Sequence, residues 1–409
     1  MAQAIPLVTR ADPTATRGAL TEAYLTQPVV MAHASWNWLR GIGTLNLEGL
    51  TLDRGELTTG GYGEGYVDRR HPHAYLHELL LGGEAARGLV RASLFAGRGF
   101  APFGSDDPMV RPLEKYPVNH HLAQVLERVV AVAAVRLGPV IGEVGAFNGD
   151  EPTSPGSSPA FDRFGDSWAS RLTILPFDGG ELSASLADVT SPEVRVGHGL
   201  DQRKTSLVAR YSRETANTWR YGMLEWARTN ERDSGTLTTT LSSLLGEAAL
   251  CTSAVIVAAR LERTDRPEEE TLLDPFRSAR PGSDLSNLGV SRWTTLTAAL
   301  SAPRLERGGF SGRPFIEVAR VGVTAGTPAG IFDPELRYGA RRLWMFSAGV
   351  RLRAGSTHGD RMGRYGVAMP LEGTHSASGE SDKMPDMPGM PAGHQMPAAH
   401  HSSTRRCSL

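Results

Sequence analysis

The stretch that decides the fold is His121–Phe147, which reads HLAQVLERVVAVAAVRLGPVIGEVGAF. In its first half every second residue is apolar except Glu127, and the alternate set includes the cations Arg128 and Arg136. Side chains alternate between the two faces of a strand, so this period predicts one apolar face and one mixed face. The dipeptide Gly138-Pro139 then predicts a tight turn before a second apolar run. The stretch therefore predicts a β-hairpin, and a polar loop rich in Pro, Ser, Gly and Asp follows it.

The same unit recurs along most of the chain as a strand, a short turn, a strand and a long polar loop. The pattern predicts about 14 strands, each long enough to cross a bilayer at a tilt. The clearest is the last, in which Trp344 and Phe346 alternate with Ser347 and Arg351. The predicted strands are Trp36–Leu50, His73–Leu81, Leu89–Arg98, Ala123–Leu137, Val140–Phe147, Ser167–Leu175, Glu181–Val189, Lys204–Ser212, Trp219–Thr229, Thr236–Gly246, Thr252–Thr264, Arg292–Ala302, Pro314–Thr324 and Arg341–Arg353.

The polar faces of these strands predict a membrane barrel. They carry a charge in strand after strand, for example Arg91, Arg171 and Lys204. A soluble barrel fills its interior with apolar side chains, whereas the interior of a porin is wet and polar. The alternatives are a soluble all-β protein, or an α/β protein in which Leu79–Phe95 and Ala123–Val135 are helices. The expected fold is all-β, a transmembrane antiparallel β-barrel with long external loops and short periplasmic turns.

Composition and pattern divide the chain into three parts. Residues 1–35 show no clear period and are expected to be an extended lead-in, residues 36–353 the barrel, and residues 354–409 a flexible tail rich in Met, His and Pro. The net charge of -1 gives no basic field for nucleic acid, so no nucleic-acid partner is expected. The first residues have no apolar core like that of a signal peptide, so we expect an export signal that is missing from this sequence.

Four stretches carry a resemblance to known proteins. They are GRGFAPFG from Gly97, KYPVNHH from Lys115, FNGDEP from Phe147 and RFGDSW from Arg163. On these stretches the chain resembles the porin-like β-barrel proteins of the bacterial outer membrane, over roughly Trp36–Arg353. The resemblance implies a Gram-negative outer-membrane location. It also implies the lipid bilayer and the outer-membrane assembly machinery as partners, and no catalytic residues or cofactor.

The tail contains the most distinctive local motif. Soft thioether ligands suit Cu(I), and imidazole ligands suit Cu(II), Zn or Ni. The tail is therefore a candidate copper-binding segment, and the alternative is a low-complexity extension with no ligand role. The candidate metal ligands are Met384, Met387, Met390, His394, Met396, His400 and His401.

Seven basic residues are predicted to line the pore and to make it partly basic, which favours anions. Four carboxylates, Glu127, Glu143, Glu225 and Glu317, are expected to offset part of this positive charge. The predicted pore-lining residues are Arg91, Arg128, Arg136, Arg171, Lys204, Arg210 and Arg351.

Further His and acidic groups are weaker metal candidates. On an extended strand His73 and His77 share a face but lie about 13 Å apart, too far to share a metal ion. His71 and the pair His120-His121 add only polarity. The acidic pairs Asp106-Asp107 and Asp150-Glu151 are expected to be solvated loop charge.

Three functions are compatible with such a barrel. The first is a channel for small polar solutes or ions, with copper binding by its periplasmic tail. The second is a non-conducting barrel with a structural or surface-binding role, plugged by loops such as 99–120 or 266–288. The third is a barrel enzyme, and it is the weakest because the chain has neither a Gly-x-Ser-x-Gly nor a His-Glu-x-x-His motif.

Overall fold

The computed structural model of the protein describes most of the chain. Among the described residues, no helix is long and apolar enough to cross a membrane. The described ranges are 1–13, 18–52, 55–58, 69–70, 73–152, 154–157, 161–192, 199–215, 218–252, 255–269, 287–326, 330–355 and 361–369.

Sixteen long antiparallel strands close into a barrel in the described part of the chain. Each strand pairs with the next, and the first pairs with the last through registers such as Ala2 with Ala354, so the ring has no free edge. A three-residue strand, Leu305–Arg307, pairs with the strand that follows it. The long strands are β1 (Ala2–Asp12), β2 (Leu20–Trp36), β3 (Leu39–Asn46), β4 (Leu76–Arg87), β5 (Val90–Gly99), β6 (Arg128–Leu137), β7 (Val140–Phe147), β8 (Ser167–Ile174), β9 (Gly180–Val189), β10 (Asp201–Glu214), β11 (Trp219–Asp233), β12 (Thr236–Cys251), β13 (Ile256–Glu269), β14 (Asn287–Ser301), β15 (Phe310–Ala325) and β16 (Arg342–Ala354).

The strand count corrects the expected 14, because the two additional strands lie in the expected lead-in over residues 1–35. Polarity does not alternate cleanly in β1, where the buried face carries Gln3 and Thr9 beside Ile5 and Leu7. Pro6 also lies within β1, and the pairing with β16 skips Ile5 and Pro6. The predicted closed all-β barrel is confirmed, with two more strands than its sequence pattern indicated.

The barrel wall has a polar inner face and an apolar outer face. On β9, Leu182 and Leu186 are 48% and 43% exposed, whereas Ser183 and Ser185 between them are buried. Soluble proteins rarely expose so continuous an apolar surface, whereas an apolar outer band is the defining surface of outer-membrane barrels. The protein is therefore a transmembrane barrel of the outer-membrane kind. Other large apolar residues exposed on the strands include Leu79, Leu94, Val144, Leu207, Leu224, Leu244, Leu261, Leu296, Ile316 and Phe346.

The connections divide the barrel into two unlike ends. Turns 37–38, 88–89 and 138–139 are tight, and they lie at the same end as both Met1 and Gly355. Connections such as 47–75, 100–127 and 148–166 lie at the other end and are much longer. In outer-membrane barrels the short turns are periplasmic and the long loops external. Turn 234–235 is the exception, a short turn at the long-loop end.

One long connection folds back into the barrel instead of covering its outside. Every residue from 100 to 127 is buried except Val110, which is half-buried. We call residues 100–127 the lumen segment. It contains a 3-10 turn, Pro108–Val110, and a short helix, α1 (His120–Ala123). The strand predicted from Ala123 therefore begins only at Arg128, since Glu127 has a φ of 57° that interrupts extended backbone.

A second piece of chain also lies inside the barrel. Residues 361–369, here called the C-terminal segment, are buried except for the half-buried Gly366 and Met369. Their 3-10 turn, Gly366–Ala368, contacts β4, β5, β6 and β7. This part of the expected flexible tail is thus folded against the inner wall. Residues 370–409 lie outside the described residues.

Candidate functional site

The lumen segment is hydrogen-bonded to the inner wall at many points. Glu262 on β13 accepts a hydrogen bond from the backbone N of Val118 at 2.8 Å. Glu317 on β15 accepts one from the N of Glu114 at 3.3 Å. The segment is therefore hydrogen-bonded to at least eight of the sixteen strands. Its further wall contacts include Gln27 on β2, Arg171 on β8, Ser185 on β9, Lys204 on β10, Glu225 on β11, Arg260 on β13 and Arg351 on β16.

Charges on neighbouring strands form buried ion pairs. Arg171 lies opposite Glu143 in the β7–β8 register, and its Nε and Nη2 atoms each donate to the carboxylate at 2.7 Å. Arg260 lies opposite Glu247 between β12 and β13, with Nε donating at 2.7 Å. Bidentate arginine–carboxylate pairs are the stronger kind of charged hydrogen bond. These pairs fix the direction of charged side chains on the inner wall.

The C-terminal segment joins the lumen segment to the wall through two arginines. Arg361 donates to Asp106 of the lumen segment at 2.6 and 2.7 Å, and to Glu181 of β9 at 2.5 Å. Arg364 donates to Glu181 at 2.6 Å and to Glu143 at 3.3 Å. Burial lowers the pKa of Arg361, but the charges of Asp106 and Glu181 outweigh burial and raise it above its ordinary value. Arg361 is therefore charged at every physiological pH.

Basic side chains also gather near the short-turn end. Arg313 on β15 lies directly opposite Arg351 on β16, and both are buried. Arg353 follows two residues along β16, where its Nε donates to Gln3 at 2.8 Å. Glu114 of the lumen segment accepts from Arg351 Nε at 2.7 Å. The arrangement brings three guanidinium groups to one part of the wall, beside the Glu114 carboxylate.

A second pair of opposed arginines lies at the same end. Arg91 on β5 lies opposite Arg136 on β6, and both side chains are half-buried. Arg91 contacts Glu84 at 3.4 Å, and Arg136 Nε donates to the carbonyl of Gly138 at 3.1 Å. Like charges directly opposite on neighbouring strands repel each other. The short-turn end of the wall therefore presents two such repelling pairs.

The seven residues predicted to line the pore lie in two environments. Arg91 and Arg136 are half-buried near the short turns. The other five have ordered partners inside the barrel. These are Glu151 for Arg128 at 2.8 Å, Glu143 for Arg171, the carbonyl of His121 for Lys204 at 2.9 Å, Asp106 for Arg210 at 3.5 Å and Glu114 for Arg351. All seven metal ligands predicted in the tail lie outside the described residues.

The structure contradicts the expected separation of His73 and His77. Their ring centroids are 4.9 Å apart, because β4 begins only at Leu76 and the chain before it is not an extended strand. Their Nδ1 atoms lie 3.3 and 2.6 Å from the same Oε1 atom of Glu127. The backbone N of Ala74 donates to that oxygen at 2.9 Å. His71, the third histidine of the predicted patch, lies outside the described residues.

The acidic pairs expected to be solvated are instead inside the structure. Asp107 is buried, and its Oδ1 accepts from the N of Met109 at 2.8 Å. Glu151 pairs with Arg128, and Asp106 pairs with Arg361. For Asp106-Asp107 the expectation failed because the lumen segment carries these charges into the barrel, and for Glu151 it failed because the side chain pairs with Arg128 at the start of β6.

The sequence patterns did not predict several of the charged residues that lie inside the barrel. Arg361 and Arg364 lie in the expected tail, and Arg313 lies one residue before a predicted strand. Arg260 was detectable, because it alternates with the apolar residues Ala259 and Leu261 on β13. Inward-facing charges on the strands can thus be recognised because they alternate with apolar residues. The two arginines of the C-terminal segment do not lie on a strand, so no such alternation marks them.

No protein-family model matches the chain, and no curated protein matches it in sequence. Solved outer-membrane structures do match it. The anion-selective porin from Comamonas acidovorans matches with a TM-score of 0.48 and 10% identity, over 86% of this chain and 97% of that chain. OmpTdeltaL8, a loop-deletion mutant of an outer membrane protein of Vibrio cholerae, matches with a TM-score of 0.45 and 9% identity, over 86% and 99%. OccK2 of Pseudomonas aeruginosa, solved in complex with glucuronate, matches with a TM-score of 0.39 and 9% identity, over 86% and 97%. All three scores are below 0.5, so the function of this chain has to be inferred from its own barrel and side chains.

Proposed function

We propose that this outer-membrane barrel is a porin-like channel for small polar solutes or ions, and that it prefers anions. The observation that carries the proposal is the buried Arg313–Arg351 pair, with Arg353 beside it. Barrels of 16 to 18 strands are wide enough to leave an aqueous path. Rings of basic side chains select anions in such a path. No residue of the chain is assigned a catalytic role.

The charge arrangement supports a preference for anions over cations. Two arginines that oppose each other on neighbouring strands repel, and an anion that passes between them relieves the repulsion. The Glu114 carboxylate contacts Arg351, and Arg313 and Arg353 lie on the same inner wall. The half-buried Arg91–Arg136 pair at the same end adds to the local positive field. A cation would meet this field as a barrier.

Planar-bilayer recording of the folded full-length chain tests the proposal. We expect steady single-channel conductance, and a reversal potential in a KCl gradient that shows preference for chloride. The substitutions R313Q and R136Q should each lower the chloride-to-potassium permeability ratio severalfold, because each removes one member of a repelling pair. Arg220 is exposed on the outside of β11, so R220Q is the matched control and should leave the ratio unchanged.

Two results would contradict parts of this proposal. A cation preference, or a permeability ratio unchanged in both R313Q and R136Q, would overturn the anion preference. A barrel that is folded and inserted but electrically silent would overturn the channel itself.

The second candidate function is a non-conducting barrel with a structural or surface-binding role. The observation in its favour is the lumen segment, which is almost wholly buried and is hydrogen-bonded to at least eight strands. The C-terminal segment occupies further space beside it. Silence in bilayers, together with the heat-modifiable gel migration of a folded barrel, would favour this candidate.

Copper binding by the tail is a separate proposal that rests on its Met and His spacing. Residues such as Met384, Met387 and Met390 supply soft sulfur ligands that suit Cu(I). Titration with Cu(I) should give a higher stoichiometry for the full chain than for a chain truncated after Gly373. Equal stoichiometry would end this proposal. Recognition by the outer-membrane assembly machinery is likewise proposed, because every barrel of this kind has to be inserted into its membrane.

A further inference from the structure

Three ligand-bearing side chains converge where the lumen segment meets the wall. One ligand atom from each of His73, His77 and Glu127 lies within 4.8 Å of the other two, and all three residues are buried. We infer that these residues form a binding site for one divalent transition-metal ion of the zinc class. The inference does not depend on whether the barrel conducts, and it concerns a site distinct from the tail.

The donor set fits this class of ion. Two imidazole nitrogens and one carboxylate oxygen are common ligands of Zn²⁺, which leaves one position of a tetrahedron for water or another group. In a tetrahedral site with bonds near 2.0 to 2.2 Å, neighbouring ligand atoms are about 3.3 Å apart. The His73 and His77 Nδ1 atoms lie 3.3 and 2.6 Å from Glu127 Oε1. Both histidine–carboxylate separations are therefore close to that value, and the three ligand atoms all lie within 4.8 Å of one another.

The carboxylate is already held in position for binding. The backbone N of Ala74 donates to Glu127 Oε1 at 2.9 Å, which fixes the oxygen that both histidines approach. On binding, each Nδ1 proton moves to Nε2 or to solvent.

Neighbouring aromatic and charged groups complete the surroundings. The His120 and Tyr116 rings lie 5.5 and 5.7 Å from the His73 ring and pack beside the cluster. The ring of Phe100 lies 5.1 Å from that of His77 and excludes water on one side. Asp107 and Glu78 add negative charge near His77, whereas Arg98 and Arg128 lie near Glu127 and oppose cation binding.

A metal ion bound at this cluster would connect the lumen segment to the barrel wall. Glu127 is the last residue of the lumen segment, whereas His77 lies at the start of β4 and His73 lies in the connection just before that strand. An ion that joins them would tie the end of the lumen segment to the barrel at its long-loop end. The site thus couples metal binding to the position of the segment that crosses the interior.

Zinc titration of the full-length folded chain tests the inference. After stripping with a chelator, Zn²⁺ is titrated in competition with a chromophoric chelator. We expect the wild type to bind one tight Zn²⁺ more per chain than H77N or E127Q, because the tail is intact in all three. His33 is exposed outside the cluster, so H33N is the matched control and should bind as many ions as the wild type. Equal stoichiometry in the wild type and in folded H77N and E127Q would overturn the inference.

A second measurement needs no variant and so does not depend on their folding. Wild-type crystals grown with Zn²⁺ should give an anomalous-difference peak about 2.0 to 2.2 Å from His73 Nδ1, His77 Nδ1 and a Glu127 oxygen. Density that shows these side chains in mutual hydrogen bonds, with no anomalous peak between them, would contradict the site.

Discussion

The interior of this barrel is ordered by individual ion pairs. Arg171 and Glu143 meet in two hydrogen bonds of 2.7 Å, and each side chain is only 1% exposed. Removing one partner from such a pair leaves a buried charge without compensation, and this costs far more than losing a surface pair. The sequence predicted that Arg171 faces inward, because alternation fixes the face. It did not predict the partner, since the register between two strands depends on the turn that joins them.

The substitution E143Q should lower the free energy of unfolding by about 3 to 5 kcal/mol, because it leaves Arg171 and Arg364 without their common carboxylate. E84Q is the matched control. The Arg91–Glu84 pair is longer, at 3.4 Å, and its side chains are 36% and 23% exposed, so its loss should cost about 1 kcal/mol or less. Urea unfolding in lipid vesicles, followed by tryptophan fluorescence, measures both. An equal decrease in the free energy of unfolding in the two variants would show that burial does not make the Arg171–Glu143 pair more important for stability than the exposed pair.

Gly104 lies at a position where only glycine fits, because of its backbone conformation and its close neighbours. It has a φ of 71°, and a Cβ atom built there would lie 1.7 Å from the carbonyl oxygen of Ala123 in the same lumen segment. The variant G104A should therefore displace the lumen segment while the wall, held by its own strand pairing, stays closed. Limited proteolysis of the folded barrel should then cut within residues 100–127.

The control for this variant is G138A. Gly138 has a similar φ of 57°, but nothing lies within 4 Å of its added Cβ atom. It should cost only the backbone strain of a positive φ and leave the lumen segment protected. If G104A resisted proteolysis as well as G138A does, the segment would not depend on the close contact at Ala123.

At the scale of elements, the strands with clean alternation were predictable and the others were not. β9 and β16 have the predicted faces, since lipid on one side and polar groups on the other impose opposite polarity on alternate residues. β1 was missed because its inner face packs apolar residues such as Ile5 and Leu7 within the barrel. The end of the lumen segment, residues 123–127, was wrongly predicted as part of a strand for a related reason, although the sequence indicated the loop 99–120 as a possible plug. Its apolar residues, such as Val125, pack against the wall, so their spacing imitated a strand.

The candidate sites were predictable to a smaller extent than the fold. A basic inner face follows from periodicity, whereas the His73–His77–Glu127 cluster depends on a loop that meets a strand about fifty residues away in sequence. Such long-range contacts have no local signal in one sequence. The same limit explains why the arginines of the C-terminal segment were not predicted.

For the whole molecule, the interior is occupied from both ends. The lumen segment enters from the long-loop end, and the C-terminal segment follows β16 at the short-turn end. They meet where Arg361 pairs with Asp106 at 2.6 Å. We therefore expect the proposed conductance to depend on both pieces of chain, since each removes cross-section from the path.

Truncation after Gly355 removes the C-terminal segment but leaves all sixteen described strands. We expect its single-channel conductance in planar bilayers to exceed that of the wild type, because the arginines that fill the path are gone. Truncation after Gly373 retains residues 361–369 and should conduct as the wild type does. Equal conductance in the two truncated chains would mean that the C-terminal segment does not obstruct the path.

The seam between β1 and β16 is built from the same antiparallel hydrogen bonds as every other seam of the ring, and Gly355 lies beside Met1. The closed ring of strands therefore does not require the chain to begin at β1. A circularly permuted gene that joins these neighbours by a short linker and opens the chain at the tight turn beside Gly235 should encode the same closed wall.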